Sequence, residues 1–153
     1  MKLQLFQSKE QTEDRIDIYY TQMTPVIRKV IDVVHTNYPV LKSREEEEVR
    51  YLNIDHILYL DCVDKKVFAY TKEGVYPLEE TLSYYENLLW DYGYVRISKS
   101  SMVNVYRIRA MKSEINMRIC ATFENEERIY VNRSYKKSFI EYLENRRGCI
   151  NEK

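Results

Sequence analysis

The sequence predicts a mostly β chain of the α+β kind: a multi-stranded sheet domain with short helices, preceded by a small strand-strand-helix segment. Three observations lead there. From Val49 onward, short runs rich in Val, Ile, Leu, Tyr and Phe recur between polar turn residues. Only three stretches change to helical spacing: one before those runs, one among them and one at the end. The 153 residues, 44% hydrophobic and 31% charged, suffice for one domain with a core plus an appendage, and are too apolar and aromatic for a disordered chain.

Residues 2–6 and 16–20 alternate polar and apolar side chains and read as strands, with the polar stretch 8–14 as their connection. Thr24 followed by Pro25 marks a helix start, because the Thr hydroxyl can accept from an orphan N–H and proline's fixed φ suits the first helical position. That helix is expected to run to about Tyr38, before Pro39, with an apolar stripe of Val26, Ile27, Val30, Ile31, Val33 and Val34. Residues 42–48, of which six of seven are charged, read as a linker. The expected domain limits are therefore 1–44 for the N-terminal segment, 45–148 for the sheet domain and 149–153 for a tail.

Strands are expected at 49–54, 57–63, 67–71 and 75–77, with Asp64, Lys65 and Lys66 as one hairpin tip and Lys72, Glu73 and Gly74 as a second. Residues 78–90 have helical spacing, with Leu78, Leu82, Tyr85, Leu88 and Leu89 on one side, and the break at 91–93 ends that helix. Strands resume at 94–98, 107–113, 117–123 and 128–131, turning near Ile115 and Asn116 and again at Asn125 and Glu126. The last element, 134–146, is an amphipathic helix directing Phe139, Leu143 and Tyr142 inward.

Composition removes several function classes. No apolar run approaches the roughly 20 residues that cross a bilayer, and the start carries no signal-peptide block, so membrane insertion is not expected and a cytoplasmic location is. Cys62, Cys120 and Cys149 lie far apart without a CxxC pair, and His35 and His56 are isolated, so neither disulfides, a metal site nor a cofactor is expected. Three glycines cannot build a phosphate-cradling loop, and no acid pair or nucleophile-base order stands out; the chain does not read as an enzyme. Net charge is zero, yet its distribution is uneven: residues 1–90 hold 11 Lys/Arg against 16 Asp/Glu, and residues 91–153 hold 13 against 8, nets of −5 and +5. A polyanion would dock on the C-terminal part.

Two segments there carry the chemistry. YVRISKSSMVN (94–104) and VNRSYKK (131–137) are both apolar strand ends running into short polar and basic stretches. Strand ends of this kind hold Arg, Lys, Ser and Asn rigidly at one rim of a sheet, within reach of phosphate oxygens and base edges. The pair resembles the signature of the LytTR family of bacterial transcription regulators: an apolar residue, Arg, a Ser/His-rich turn and Val-Asn, followed later by a Val-Ser-Arg-Ser-Tyr run. The resemblance extends over the element order from Val49 to Arg146, including the run LYLDCVDKKVFAYT (58–71).

The resemblance implies an elongated, mostly β domain whose edge loops enter successive major grooves and bend the duplex without a recognition helix. It implies base or phosphate contacts at Lys99, flanked by Ser98 and Ser100 and with Arg96 counted among the DNA-binding residues, and a guanine-reading Arg133, flanked by Asn132, Ser134 and Tyr135, with Lys136 on the backbone. Asn132 stands where Ser is more usual. A third contact would come from the first hairpin at Lys65 and Lys66, whereas Asn104 would satisfy backbone groups in its turn. Family members commonly carry a phosphoacceptor receiver domain; 153 residues leave no room for one, so a stand-alone regulator is expected. Such a small reader needs two copies on repeated half-sites for useful selectivity, hence an expected homodimer made partly by residues 1–44. The alternative is a protein-interaction module that keeps the scaffold and sequesters a partner regulator or membrane protein. A nonspecific single-strand binder using the fifteen tyrosines as stacking platforms is a third reading.

Overall fold

A computed structural model of the chain describes residues 2, 4, 10, 16–36 and 39–151. Residues 1–37 and 38–153 form two separate units. In the first, α1 spans Pro25–Thr36. Thr24 caps it as expected, its Oγ1 accepting from Ile27 N at 3.3 Å. Ile27 is buried and Ile31 half-buried, while Val26, Val30 and Val34 are exposed. Residues 16–20, expected as a strand, are irregular; alternation of side chains alone does not make a strand. Most of the strand expected at 2–6, most of the connection at 8–14 and the side chains of Val33 and His35 lie outside what is described.

The second unit opens with a correction. The charged stretch 42–48 is no linker: β1 (Val40–Glu45) and β2 (Glu48–Asn53) pair as a hairpin turning at Glu46 and Glu47. The charges conceal a strand because they alternate with inward positions; Leu41 and Ser43 are each 2% exposed, between outward Val40, Lys42 and Arg44. Then follow β3 (Ile57–Val63), β4 (Lys66–Thr71) and β5 (Val75–Leu78). Asp64 and Lys65, both with positive φ (50° and 66°), make the two-residue β3–β4 turn. Helix α2 (Leu82–Leu89) starts four residues later than its spacing suggests, since Leu78 is the end of β5 and pairs with Val67 and Ser43. Thr81 Oγ1 caps it by accepting from Tyr84 N.

Gly93 ends the following 3-10 turn at φ 96°, where a Cβ would lie 2.4 Å from the Tyr106 ring, so only glycine fits. The strand β6 (Tyr94–Arg96) then pairs with β7 (Ser101–Asn104), a strand whose start the serines mask in the sequence. The chain continues as β8 (Ile108–Ser113), β9 (Ile119–Phe123), β10 (Arg128–Val131), a 3-10 turn at Arg133–Tyr135 and α3 (Lys136–Asn151).

The strands form a seven-stranded sheet, in the order β2-β1-β5-β4-β3-β7-β6, and a three-stranded sheet, β10-β9-β8. All pairings are antiparallel among the described residues. Two cores result. Leu82, Tyr85 and Leu89 of α2 pack with Leu60, Ala69 and Met102 on one face of the large sheet. On the other face, Leu58, Val95 and Val103 meet Ile119, Phe123 and Val131 of the small sheet and Phe139 and Tyr142 of α3. The domain is thus mostly β, with short helices at its faces. No helix among the described residues is long and apolar enough to cross a membrane.

Candidate nucleic-acid interface

Strand direction determines which turns share an end of the domain. The β3–β4 tip at Asp64 and Lys65 and the β6–β7 turn at 97–100 lie on neighbouring strands, since Asp61 pairs with Ser101 and Cys62 N donates to Ser100 O at 2.7 Å. The small sheet adds two more pieces to the same end, because Ile119 pairs with Val131 and so brings the β8–β9 turn beside residues 132–135. The two sheets are joined there by Asn132 N, which donates to Ile97 O at 2.9 Å.

That hydrogen bond unites the two segments singled out in the sequence. Ser98, Lys99 and Ser100 of the first and Asn132, Ser134 and Tyr135 of the second line one open hollow, with Tyr130. Lys99, Ser100, Asn132, Arg133 and Ser134 are exposed, and Tyr135 is half-buried against the second core. No salt-bridge partner of Lys99 or Arg133 is found among the described residues. Lys136 opens α3, its N–H donating to Arg133 O, so the positive end of a helix dipole also faces this rim.

Arg96 has another situation. Its side chain is only 18% exposed, and it donates from Nε to Glu86 Oε2 at 2.9 Å, from Nη1 to the Lys99 carbonyl at 2.5 Å and from Nη2 to Ser83 Oγ at 3.4 Å. The guanidinium therefore braces the turn against α2, with Lys99 held by its backbone. Ser98 Oγ accepts from Ser100 N at 3.2 Å and tightens the same turn, and Ser101 Oγ donates to Asp61. Asn104 is buried and works as the sequence suggests: Nδ2 donates to Ile57 O at 3.0 Å and Oδ1 accepts from Tyr106 N.

Lys65 and Lys66 are exposed on the same end of the sheet, but the hollow they line also contains Arg44, Glu79 and Glu80, and Arg44 bridges Glu79 at 3.4 Å. Sequence reasoning missed Asn116 and Arg118, which line a second hollow with Asn132, Arg133 and Ser134. Nothing local could have revealed them, since only the β9–β10 register brings Arg118 next to Asn132. The described residues contain no group of three or more His, Cys, Asp or Glu able to hold a metal.

Comparison with known proteins agrees with this architecture. The sequence model of the LytTr DNA-binding domain matches residues 47–144. A protein of Staphylococcus aureus strain MSSA476, described as an uncharacterized HTH-type transcriptional regulator, is 30% identical over 145 residues, covering 94% of this chain and 98% of its own. Its counterpart in strain MRSA252 is 29% identical over the same share. A solved LytTr DNA-binding domain of a response regulator from Bacillus cereus superposes with a TM-score of 0.64 at 25% identity, covering 68% of this chain and 95% of that one. Among the described residues of the 38–153 unit, five strands separate α2 from α3, so these helices do not form a helix-turn-helix pair.

Proposed function

Because the chain belongs to the LytTR family of DNA-binding domains, we propose that it is a cytoplasmic transcription regulator that reads double-stranded DNA in a sequence-specific way through turns at one rim of its sheets. One observation carries this reading: the Lys99 and Arg133 segments, more than thirty residues apart, meet at one open hollow through the Asn132–Ile97 hydrogen bond, with both cations exposed and without a salt-bridge partner among the described residues. A guanidinium at such a tip can pair bidentately with guanine O6 and N7 in a major groove, and a lysine can donate to the same acceptors while the serine hydroxyls beside it suit phosphate oxygens. In this assignment Arg133 and Lys99 read the site. Ser98, Ser100, Asn132, Ser134, Tyr135 and Lys136 contact the backbone around them. Arg96 positions the turn and does not touch DNA. The role is non-catalytic.

Selection of bound duplexes from a random pool tests it. Recovery of a recurring half-site, with binding that weakens steeply with salt, is the expected result; equal binding to scrambled duplexes at modest salt would remove sequence reading.

The homodimer on repeated half-sites is proposed on the exposed Val26, Val30 and Val34 of α1, an apolar stripe suited to burial against a second copy. Val26→Asp together with Val30→Asp should lower the oligomeric state in sedimentation and weaken binding to paired half-sites more than to single ones. The same stripe favours the rival reading, a module that sequesters a partner protein. That reading gains if the valine variants lose regulation in cells while Arg133→Ala does not.

A further inference from the structure

We infer that the β8–β9 turn is a further DNA-contacting element, in which Arg118 holds a backbone phosphate beside the base-reading Arg133; the inference rests on the DNA-reading role proposed above. Neither the family motif nor its spacing includes this turn.

The argument begins with how Arg118 is held. Its guanidinium lies over the Tyr130 ring, 4.8 Å from the centroid. The Asn116 amide, oriented with its oxygen towards the arginine, accepts from Nε at 2.8 Å and Nη2 at 2.9 Å. The turn itself is closed by Met117 N donating to Glu114 O and Glu114 N donating to Arg118 O. These contacts fix the plane of the guanidinium and leave Nη1 for a ligand. A long side chain already ordered in the free protein loses little rotamer freedom on binding.

The surroundings select the ligand. Arg118, Arg133, Asn116, Asn132 and Ser134 line the hollow, and no carboxylate is among them. Two guanidinium groups facing one hollow repel each other until an anion lies between them. The amide and hydroxyl add donors of the kind that contact phosphate oxygens. A diester phosphate, singly charged and repeated along a strand, fits this set. The hollow shares Asn132 and Ser134 with the one lined by Lys99, so one strand of a duplex could follow the rim from Lys99 past Arg133 to Arg118. Arg133, exposed and without the stacking that immobilises Arg118, is the one free to adjust to a base edge.

The test uses the full chain, a labelled duplex recovered by selection from a random pool, and a scrambled duplex of equal length. Arg118→Gln should weaken both by a similar factor, roughly tenfold at moderate salt, and lower the slope of log Kd against log salt by about 0.9, the signature of one lost phosphate contact. Tyr130→Leu, which keeps the charge and removes the stacking face, should give a smaller loss with the slope intact. Circular dichroism and thermal unfolding establish that each variant is folded; if Arg118→Gln is not, Arg118→Lys, expected to keep the slope and lose affinity, replaces it. Unchanged affinity and slope in a folded Arg118→Gln, while Arg133→Ala loses the selected duplex, overturns the inference and leaves the DNA-reading role standing. A loss confined to the selected duplex also overturns it, since a phosphate contact does not discriminate sequence. If the unaltered chain binds neither duplex, the role itself fails and the inference with it.

Discussion

The two ends of the sheet domain treat their cations in opposite ways. At the end opposite the hollow rim, where β4 turns into β5 and β9 into β10, Lys72 bridges Glu124 at 2.5 Å and Arg109 bridges Glu126 at 2.7 Å. Arg146 is packed over the Tyr142 and Tyr106 rings and donates to Trp90 O. At the rim, Lys99, Arg118 and Arg133 face open hollows without a salt-bridge partner among the described residues. A chain with no net charge can therefore still present cationic tips. Lys72 and Arg109 are paired with carboxylates whereas, among the described residues, Lys99, Arg118 and Arg133 are not, even though Arg44 and Arg96 at the rim end are paired with Glu79 and Glu86. Local charge, felt over a screening length of roughly 8–10 Å at physiological salt, is what a polyanion meets.

The largest expected effect tests whether that contrast is functional. Arg133→Ala should cost about 1–3 kcal/mol in binding to a selected duplex and relax preference at one base pair, read by titration against single-base variants. Retained preference at every position would break the assignment. Next comes Glu86→Gln. Removing a negative charge near the rim would tighten DNA binding on electrostatics alone, whereas loosening the brace on Arg96 should weaken specific binding by about 0.5–1 kcal/mol. The sign of the change decides between the two, and a competition titration measures it.

Smaller again is Lys65→Ala with Lys66→Ala. Their hollow already contains Glu79 and Glu80, so the pair should contribute under about 0.5 kcal/mol to binding at physiological salt. A loss rivalling that of Arg133 would show that the first hairpin is a principal reader. At the neutralised end, Lys72→Ala should leave DNA affinity unchanged in the same titration. There the Lys72 ammonium holds the Glu124 carboxyl below its ordinary range, so this exposed pair is formed at neutral pH and lost as pH falls through the folded value. In a pH titration the Glu124 carboxyl should shift upward in the Lys72→Ala variant, with DNA affinity at neutral pH as before.

Much of the fold was legible because its strands are locally marked. Residues 57–63 are a short run rich in apolar and aromatic side chains that ends at the polar tip Asp64, Lys65 and Lys66, and the structure places β3 on those seven residues, buried between the two cores. Where local marks misled, a neighbour decided. Residues 42–48 look like a solvated linker until Leu41 and Ser43 are seen facing the sheet, and residues 16–20 alternate yet are irregular. Leu78 fits a helical stripe, yet its pairing with Val67 and Ser43 makes it strand.

The order of apolar and polar residues by itself determined that this chain builds short strands and where it puts two basic tips, because period and turn chemistry act over a few bonds. Only tertiary structure decided what each cation does. Arg96, inside the motif, is turned inward by Glu86 and the Lys99 carbonyl, whereas Arg118, outside it, is brought to the rim by the pairing of Ile119 with Val131. The physical reason is that a guanidinium's role depends on what lies within a few ångströms of it. The groups that differ, the Glu86 carboxylate on α2 for Arg96 and the Tyr130 ring on β10 for Arg118, are brought there by packing between elements.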